Sequence, residues 1–461
     1  MILSLRTACH ELTSKTNEYT RTTELLAEKI SLAVTQITVW CADNNQSLPS
    51  SGTNATNLML PASAPQTTLT AREELIESAR KIQQLVLEPS EYLPQMATHA
   101  IMASIHWLCH FRIFSLVPLQ GSAPFAQVAA QAKVPEGQLK AIARMAMTFH
   151  VFCEVKSGEL AHTSISALFA NSQAVRDWAI FMAGFSAPAA SKMVEATERW
   201  GETTALTQTA FNIANETNLP FFEYMTQTPA RSGLFASYMK NVTASAGLKI
   251  EHLVHGFFDW NGLQKATVVD VGGSTCHTSI ALAEAYPLLE FIVQDLPATV
   301  ASGRELLAKQ PERIRSRIVC EEHDFFTPQS GTAADADVFL LRMILHDWPD
   351  DKALTILRQL VAPMKARSLP DSRRPSHVRL IIMDTVLPLP GEIGARREAM
   401  LRVRDLTMLQ AFNSRERELE DWKALLTAAS GEAVGDGELE LISLNQPFGS
   451  HMSILEIAYR C

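Results

Sequence analysis

The chain has 461 residues, enough for two or three domains at the usual allowance of about 150 each, and 47% apolar with 19% charged residues excludes a disordered or fibrous class. Lysines and arginines number 40 against 49 acids, a net charge of −9 without any basic block, so the field that gathers nucleic-acid phosphates is missing. The seven cysteines are scattered, with no CxxC pair and no zinc spacing, and point to free thiols in a reducing compartment.

The first twenty residues lack the apolar core of a signal peptide, and no stretch approaches about eighteen uninterrupted apolar residues. A soluble, cytoplasmic protein without membrane contact is expected, and the sequons at Asn45, Asn54, Asn215 and Asn241 then carry no meaning. Residues 20 to 40 read as a helix, followed by a Ser/Thr/Asn/Pro-rich linker over 43–70. Helix resumes over Ala71 to Glu88, with Leu75, Ala79, Ile82 and Leu85 or Leu87 on one face. From Gln95 to Phe169 three helical patterns precede a hairpin turning on Ser157-Gly158, the order of a winged helix. Its presumed recognition helix, Glu136 to Phe149, is mostly apolar with only Lys140 and Arg144, which favours a buried or dimer-forming face over a DNA reader. Residues 175 to 260 are helical and rich in Phe and Met, among them Phe211, Phe221, Phe222 and Phe235, as core or as the lining of an apolar cavity.

After Gly262 short apolar runs alternate with amphipathic helices, the pattern of a doubly wound, mostly parallel α/β sheet. Seven strands are expected: Ala266 to Val271, Glu290 to Gln294, Arg317 to Glu321, Val338 to Ile344, Val378 to Met383, Leu439 to Leu444 and Ile454 to Tyr459. The last two lack a helix-length insert and should pair antiparallel. The first strand runs into Gly272-Gly273-Ser274-Thr275-Cys276, where glycines let a ligand approach the backbone at the carboxyl edge of the sheet. Asp295, closing the second strand, stands where a carboxylate accepts ribose hydroxyls. The G-x-G-x-x-G spacing of a pyrophosphate binder is absent, which favours a smaller adenosyl ligand over NAD.

The ordered segments VVDVGG, QDLPATV, HDFF, LLRMILHDWPDD, DLTML and ERELEDW resemble those of class I S-adenosylmethionine-dependent O-methyltransferases, the plant caffeate-type enzymes and their fungal polyketide-tailoring relatives. The resemblance covers about residues 95 to 461. It implies a Rossmann-like catalytic domain behind a winged-helix dimerisation domain, a homodimer, S-adenosyl-L-methionine as cofactor and a phenolic or polyketide acceptor. It also implies that Gly272 and Gly273 approach the amino-acid part of the cofactor, that Asp295 holds its ribose, that Asp324 and Phe325 flank its adenine, and that Arg342 stands near it. His346 matches the general base, Asp384 and Glu416 the acids that hold its ring, and Met408 and Asn413 substrate-contacting positions; no metal is expected. The corresponding division is an N-terminal helical extension (1–42), a flexible linker (43–70), a winged-helix-like dimerisation domain (71–174), a helical substrate-pocket connector (175–260) and a catalytic domain (261–461).

The chemistry agrees with these roles. A sulfonium methyl needs an in-line nucleophile, and a phenol with pKa about 10 is mostly protonated at neutral pH, so the site must position an oxygen and take its proton. A histidine with a reference pKa of about 6.5 suits that task, and a carboxylate on its other nitrogen fixes the tautomer. One position departs from the family. Where the pattern ends on glycine this chain has Cys276, whose Cβ is expected to crowd the methionine carboxylate or, where the turn needs positive φ, to strain it. Two rival functions follow: a methyltransferase-like pericyclase or dehydratase that keeps the cofactor without transferring methyl, and a winged-helix regulator with a ligand-sensing domain. Retention of His346, Asp384 and Glu416 favours methyl transfer, and the lack of an exposed basic helix disfavours the regulator.

Overall fold

The computed structural model describes residues 2–48, 60–61, 64–96, 98–368, 378–430 and 437–460. Much of the expected linker, with Asn54 and Cys461, lies outside the described residues. The chain forms two compact units, one of residues 1–183 with 394–396 and one of 184–393 with 397–461. The first boundary falls beyond the expected 174/175 because the helix Gln173–Phe181 packs Ala179 and Ile180 onto the core of the first unit. The expected connector and catalytic segments share one core, since Leu248, Leu253, Val254, Phe258 and Trp260 pack together with Val268, Phe291 and Leu340.

In the first unit the helix Ile2–Asp43 begins earlier than the expected residue 20. It packs Ala33, Ile37 and Cys41 against Ala71 of the helix Gln66–Val86, with Trp40 and Leu75 at the edge. The inward face of this second helix differs from the expected one: Thr68, Ala71 and Ser78 are buried, while Ala79 and Leu85 are exposed. Small side chains at helical spacing let the two helices approach closely, and this contact outweighs leucine content in choosing the face. By length and composition Arg21–Asp43 is apolar enough to cross a membrane, although polar residues interrupt it; about 22% of the stretch is buried, including the face against Gln66–Val86.

Helices Thr98–His110, Phe125–Ala132 and Glu136–Met147 surround a core of Leu108, Phe114, Phe125, Leu139 and Phe152. The expected hairpin is formed by Cys153–Lys156 and Glu159–Ala161, turning on Gly158 at φ +83°, and Ser122–Pro124 adds a third antiparallel strand. Glu136–Met147 buries Leu139, Ala143 and Ala146, and both its cations are paired within the chain, Lys140 with Glu136 at 2.6 Å and Arg144 with Glu154 at 3.0 Å.

The second unit is built on a seven-stranded sheet: β1 (Ala266–Val271), β2 (Leu289–Asp295), β3 (Ile318–Glu322), β4 (Val338–Arg342), β5 (Arg379–Asp384), β6 (Glu438–Asn445) and β7 (Ser453–Arg460). Its order is β6-β7-β5-β4-β1-β2-β3. β1 to β5 pair in parallel, and β7 joins β5 and β6 antiparallel, as expected from the missing insert. The near-continuous apolar runs of β1 and β4 follow from burial on both faces. β4 ends two residues before the expected Ile344 because Met343 takes φ +57°, and the chain then turns through the 3₁₀ segment Leu345–Asp347. The strand order reverses between β1 and β4, so the carboxyl ends of these strands open the crevice where open α/β sheets bind ligands.

Candidate active site

The loop leaving β1 follows from its glycines. Gly272 sits at φ +69°, and a Cβ there would lie 2.6 Å from Ile344 Cδ1 and 3.5 Å from Phe325 Cε1. A Cβ on Gly273 would lie 2.6 Å from Asp270 Cγ and 2.7 Å from Val293 Cγ1. Only bare backbone passes here. Asp295, at the end of β2, receives the Ser274 N–H on Oδ2 at 2.9 Å and the Leu296 N–H on Oδ1 at 2.8 Å, which leaves a further lone pair on each oxygen for a ligand. Phe325 lies edge-on to Phe326 and Trp348, with centroids 5.0 and 5.7 Å away, and the preceding Asp324 is held by the Phe326 N–H at 3.0 Å. The structure therefore brings Gly272, Gly273, Asp295 and Phe325 around one loop.

Beneath them Asp270 is buried and accepts from Ser279 Oγ at 2.7 Å; burial pushes its carboxyl up to about 6. Arg342, at the end of β4, donates through Nη2 to the Leu248 carbonyl, but its Nε is buried without a partner. Burial pulls its pKa down to about 10, against the opposing charge of Asp270. An incompletely satisfied guanidinium at the sheet edge has capacity left for an anionic ligand group.

Cys276 takes φ +68° at the start of the helix His277–Ala285, so the strain half of the sequence expectation holds. Its side chain is fully buried, with Sγ 3.2 Å from Cys320 Sγ, and packs in the core shared by Leu282 and Val293. Cys276→Gly removes a left-handed-backbone cost of about 1 kcal/mol and loses a comparable amount of buried contact. We expect S-adenosylmethionine affinity to change by less than about threefold and the unfolding midpoint to stay within a few degrees. Calorimetric titration and a thermal melt check this; a large loss of affinity would make the thiol part of the ligand site.

His346 lies in the 3₁₀ turn after β4, two residues beyond the expected strand end at Ile344 and four beyond the observed one at Arg342. Arg417, fully buried, pins this turn by donating to the carbonyls of Leu345 at 2.8 Å and Trp348 at 2.9 Å and to Asp350 Oδ1 at 2.9 and 2.7 Å. His346 is 4% exposed. Its Nδ1 is 3.0 Å from Glu416 Oε1 and 3.3 Å from Asp384 Oδ1, while Nε2 is 3.5 Å from Asp347 Oδ1. A proton on Nδ1 directed at Glu416 leaves the Nε2 lone pair as the basic site. Burial opposes charge on the ring, but Asp384, Glu416 and Asp347 outweigh it and raise the imidazole to about 9. Burial likewise raises Asp384 and carries Asp347 to about 6. Burial would raise Glu416 too, but the charges of His346 and Arg404 hold it at about 2.

Sequence reasoning missed Arg404. Its Nε donates to Glu416 Oε1 at 3.2 Å, and its Nη2 lies 3.5 Å from His346 Nδ1. His346, Asp384 and Glu416 offer donor atoms within 4.8 Å of one another, an arrangement able to hold a metal ion, but the guanidinium already supplies the positive charge at Glu416. Met408 is buried on the helix Ala395–Phe412. Asn413 gives its amide N–H groups to the carbonyls of Ala205 at 2.8 Å and Gln208 at 3.0 Å, so its amide nitrogen anchors a loop. Phe412 meets Phe221 and Phe222 with centroids 5.0 and 5.2 Å away, and Phe235 lies 5.4 Å from Phe221, forming an aromatic group in the same unit.

A glycine-lined loop at the sheet edge beside the Asp295 carboxylate, together with a buried histidine bracketed by acids, is an arrangement able to take an adenosyl-type ligand and to move a proton. The family model for the O-methyltransferase domain matches residues 202–431. The O-methyltransferase VdtC of Byssochlamys spectabilis is 46% identical over 439 residues, covering 94% of this chain and 97% of that protein. Among solved structures, OxaC superposes with a TM-score of 0.70 at 21% identity, covering 96% of this chain and 100% of its own. A structure described as a pericyclic reaction enzyme gives 0.68 at 20% identity, covering 94% and 100%. The chain belongs to the O-methyltransferase family.

Proposed function

We propose that this O-methyltransferase moves the methyl of S-adenosyl-L-methionine to a hydroxyl of an aromatic or polyketide-type secondary metabolite, with His346 as general base. The contact between His346 Nδ1 and Glu416 carries the reading, because a proton held on Nδ1 by Glu416 leaves the Nε2 lone pair as proton acceptor. The residues present fit the cofactor: Gly272 and Gly273 would admit its amino-acid part, Asp295 would accept its ribose hydroxyls, Phe325 and Asp324 would flank its adenine, and Arg342 would offer a cation to its carboxylate. When bound, S-adenosylmethionine supplies an electrophilic sulfonium methyl. The protein's own residues then orient the acceptor hydroxyl, exclude water and take its proton on His346 Nε2, where Asp384 and Glu416 stabilise the imidazolium. Met408 and the aromatic group of Phe221, Phe222 and Phe412 suit a flat, apolar acceptor.

The first unit's helices and three-stranded sheet support a winged-helix fold used for homodimerisation and not for DNA, given that Lys140 and Arg144 are already paired. A Rossmann-like relationship of the seven-stranded sheet and a cytoplasmic location, suggested by the free thiols of Cys41, Cys109, Cys153, Cys276 and Cys320, belong to the same reading.

A pH–rate profile tests the base. Only neutral His346 accepts a proton, and a raised pKa means that this form gains population as pH rises toward about 9. At saturating cofactor, kcat/KM for a phenolic acceptor should climb through the neutral and mildly alkaline range and level off. Glu416→Gln removes a carboxylate that favours the imidazolium, so the midpoint should move to lower pH. An unmoved midpoint would assign the profile to the acceptor's own ionisation.

A further inference from the structure

Three carboxylates around one buried imidazole favour a proton that stays on the ring, whereas a general base must be free of that proton when the acceptor arrives. The inference drawn from this tension rests on His346 being the base. A single oxygen, Glu416 Oε1, receives both His346 Nδ1 at 3.0 Å and Arg404 Nε at 3.2 Å, while Arg404 Nη2 stands 3.5 Å from the same Nδ1. Glu416 is buried and its Oε2 has no partner, so both cations compete for one desolvated charge. We propose that Arg404 is a positioning residue for the base: its guanidinium shares Glu416 with the imidazole, holds that carboxylate in line with Nδ1, and loosens the ring's hold on its proton.

The groups around the ring come from several elements. Asp347 lies on its own turn, Asp384 ends β5, and Glu416 follows the helix Ala395–Phe412 that carries Arg404. Arg342 at the end of β4 feels both Asp384 and Arg404, and Tyr238 on the helix Pro229–Ala244 feels Arg404 and Asp347. Arg404 and Arg342 therefore stand as the guanidinium groups facing three acids and the titrating ring, and of the two only Arg404 is hydrogen-bonded to the ring's own partner. A residue that merely filled space on this helix would leave the ring's protonation untouched. A charge at this distance cannot, since even in a well-screened protein site it biases the equilibrium measurably.

The full chain labelled with ¹³C at histidine Cε1 tests this by NMR titration, with His346→Gln identifying the His346 signal. In Arg404→Gln the His346 midpoint should rise by about one unit or more, because the opposing positive charge is gone. In Arg404→Lys it should stay closer to wild type, since the charge is kept and only the planar donor geometry is lost. Where Arg404→Gln alone leaves Glu416 too poorly paired to fold, the comparison is made between Glu416→Gln and Arg404→Gln/Glu416→Gln, and the double variant should titrate above the single one. A His346 midpoint that does not move on loss of the guanidinium, or a lysine variant that behaves like the glutamine one, overturns the proposal. Transfer of labelled methyl from S-adenosylmethionine to a panel of simple phenols is followed in parallel. Methyl transfer that persists, with an unmoved midpoint, would remove Arg404 from this role and leave the enzyme reading intact. A moved midpoint together with turnover of wild type and His346→Gln at equal rates would remove the base assignment instead.

Discussion

His346→Gln should retain cofactor binding while losing a hundredfold or more in turnover of a non-ionised phenol, the usual range for a general base being about 10²- to 10⁴-fold. Glutamine keeps a hydrogen-bonding side chain in a 4%-exposed site, so the turn pinned by Arg417 should stand. The energetic side supports a clean readout. Removing a positive ring leaves Glu416 with Arg404 as its remaining charge partner, whereas removing Glu416 would leave both cations without their shared acceptor. Glu416→Gln should consequently cost less turnover than His346→Gln, because Glu416 does not itself receive the proton. Acceptors of low pKa, already ionised at the assay pH, should be methylated by His346→Gln at rates much closer to wild type. A uniform loss across acceptors of high and low pKa would mean that the ring positions substrate without moving a proton.

Gly273→Ala should weaken S-adenosylmethionine by about ten- to a hundredfold, the equivalent of about 1.4–2.8 kcal/mol. The new methyl would enter at 2.6 Å from Asp270 Cγ and 2.7 Å from Asp270 Oδ2, and Asp270 is 2% exposed and bonded to Ser279. Neither the carboxylate nor the β1 backbone that carries it can yield without displacing the loop beside the cofactor crevice. Gly233→Ala is the control. That glycine lies in the helix Pro229–Ala244 with open space where a Cβ would stand, so the change should leave affinity unaltered and gain up to about 1 kcal/mol in helix stability. Calorimetric titration of both variants decides the matter, and equal affinities would place the cofactor away from this loop.

The sheet was readable because strands buried on both faces, such as β1 and β4, show near-continuous apolar runs. The antiparallel pair was readable from the absence of a crossover helix between β6 and β7. The glycine loop, Asp295, His346, Asp384 and Glu416 were found through ordered motifs, and the structure brings the last three together over chain separations of up to 70 residues. What escaped depends on tertiary context. Arg404 sits one residue before the DLTML segment, and nothing in its neighbours reveals that its guanidinium reaches a buried carboxylate. The inward face of Gln66–Val86 was misjudged because its contact with Ile2–Asp43 uses small residues, which hydrophobic periodicity undercounts. The raised His346 pKa could not be read from residue type at all, since it arises from three acids contributed by different segments.

The most direct measurement follows the methyl itself. Full-length protein, S-adenosylmethionine labelled in its methyl group, and phenolic polyketide acceptors are incubated together, and products are examined by mass spectrometry. The account predicts an acceptor heavier by one labelled methyl on oxygen, with one S-adenosylhomocysteine formed for each, and almost none with His346→Gln. Acceptor consumed without gain of label while S-adenosylmethionine remains intact would contradict it and assign the site to ring closure or dehydration.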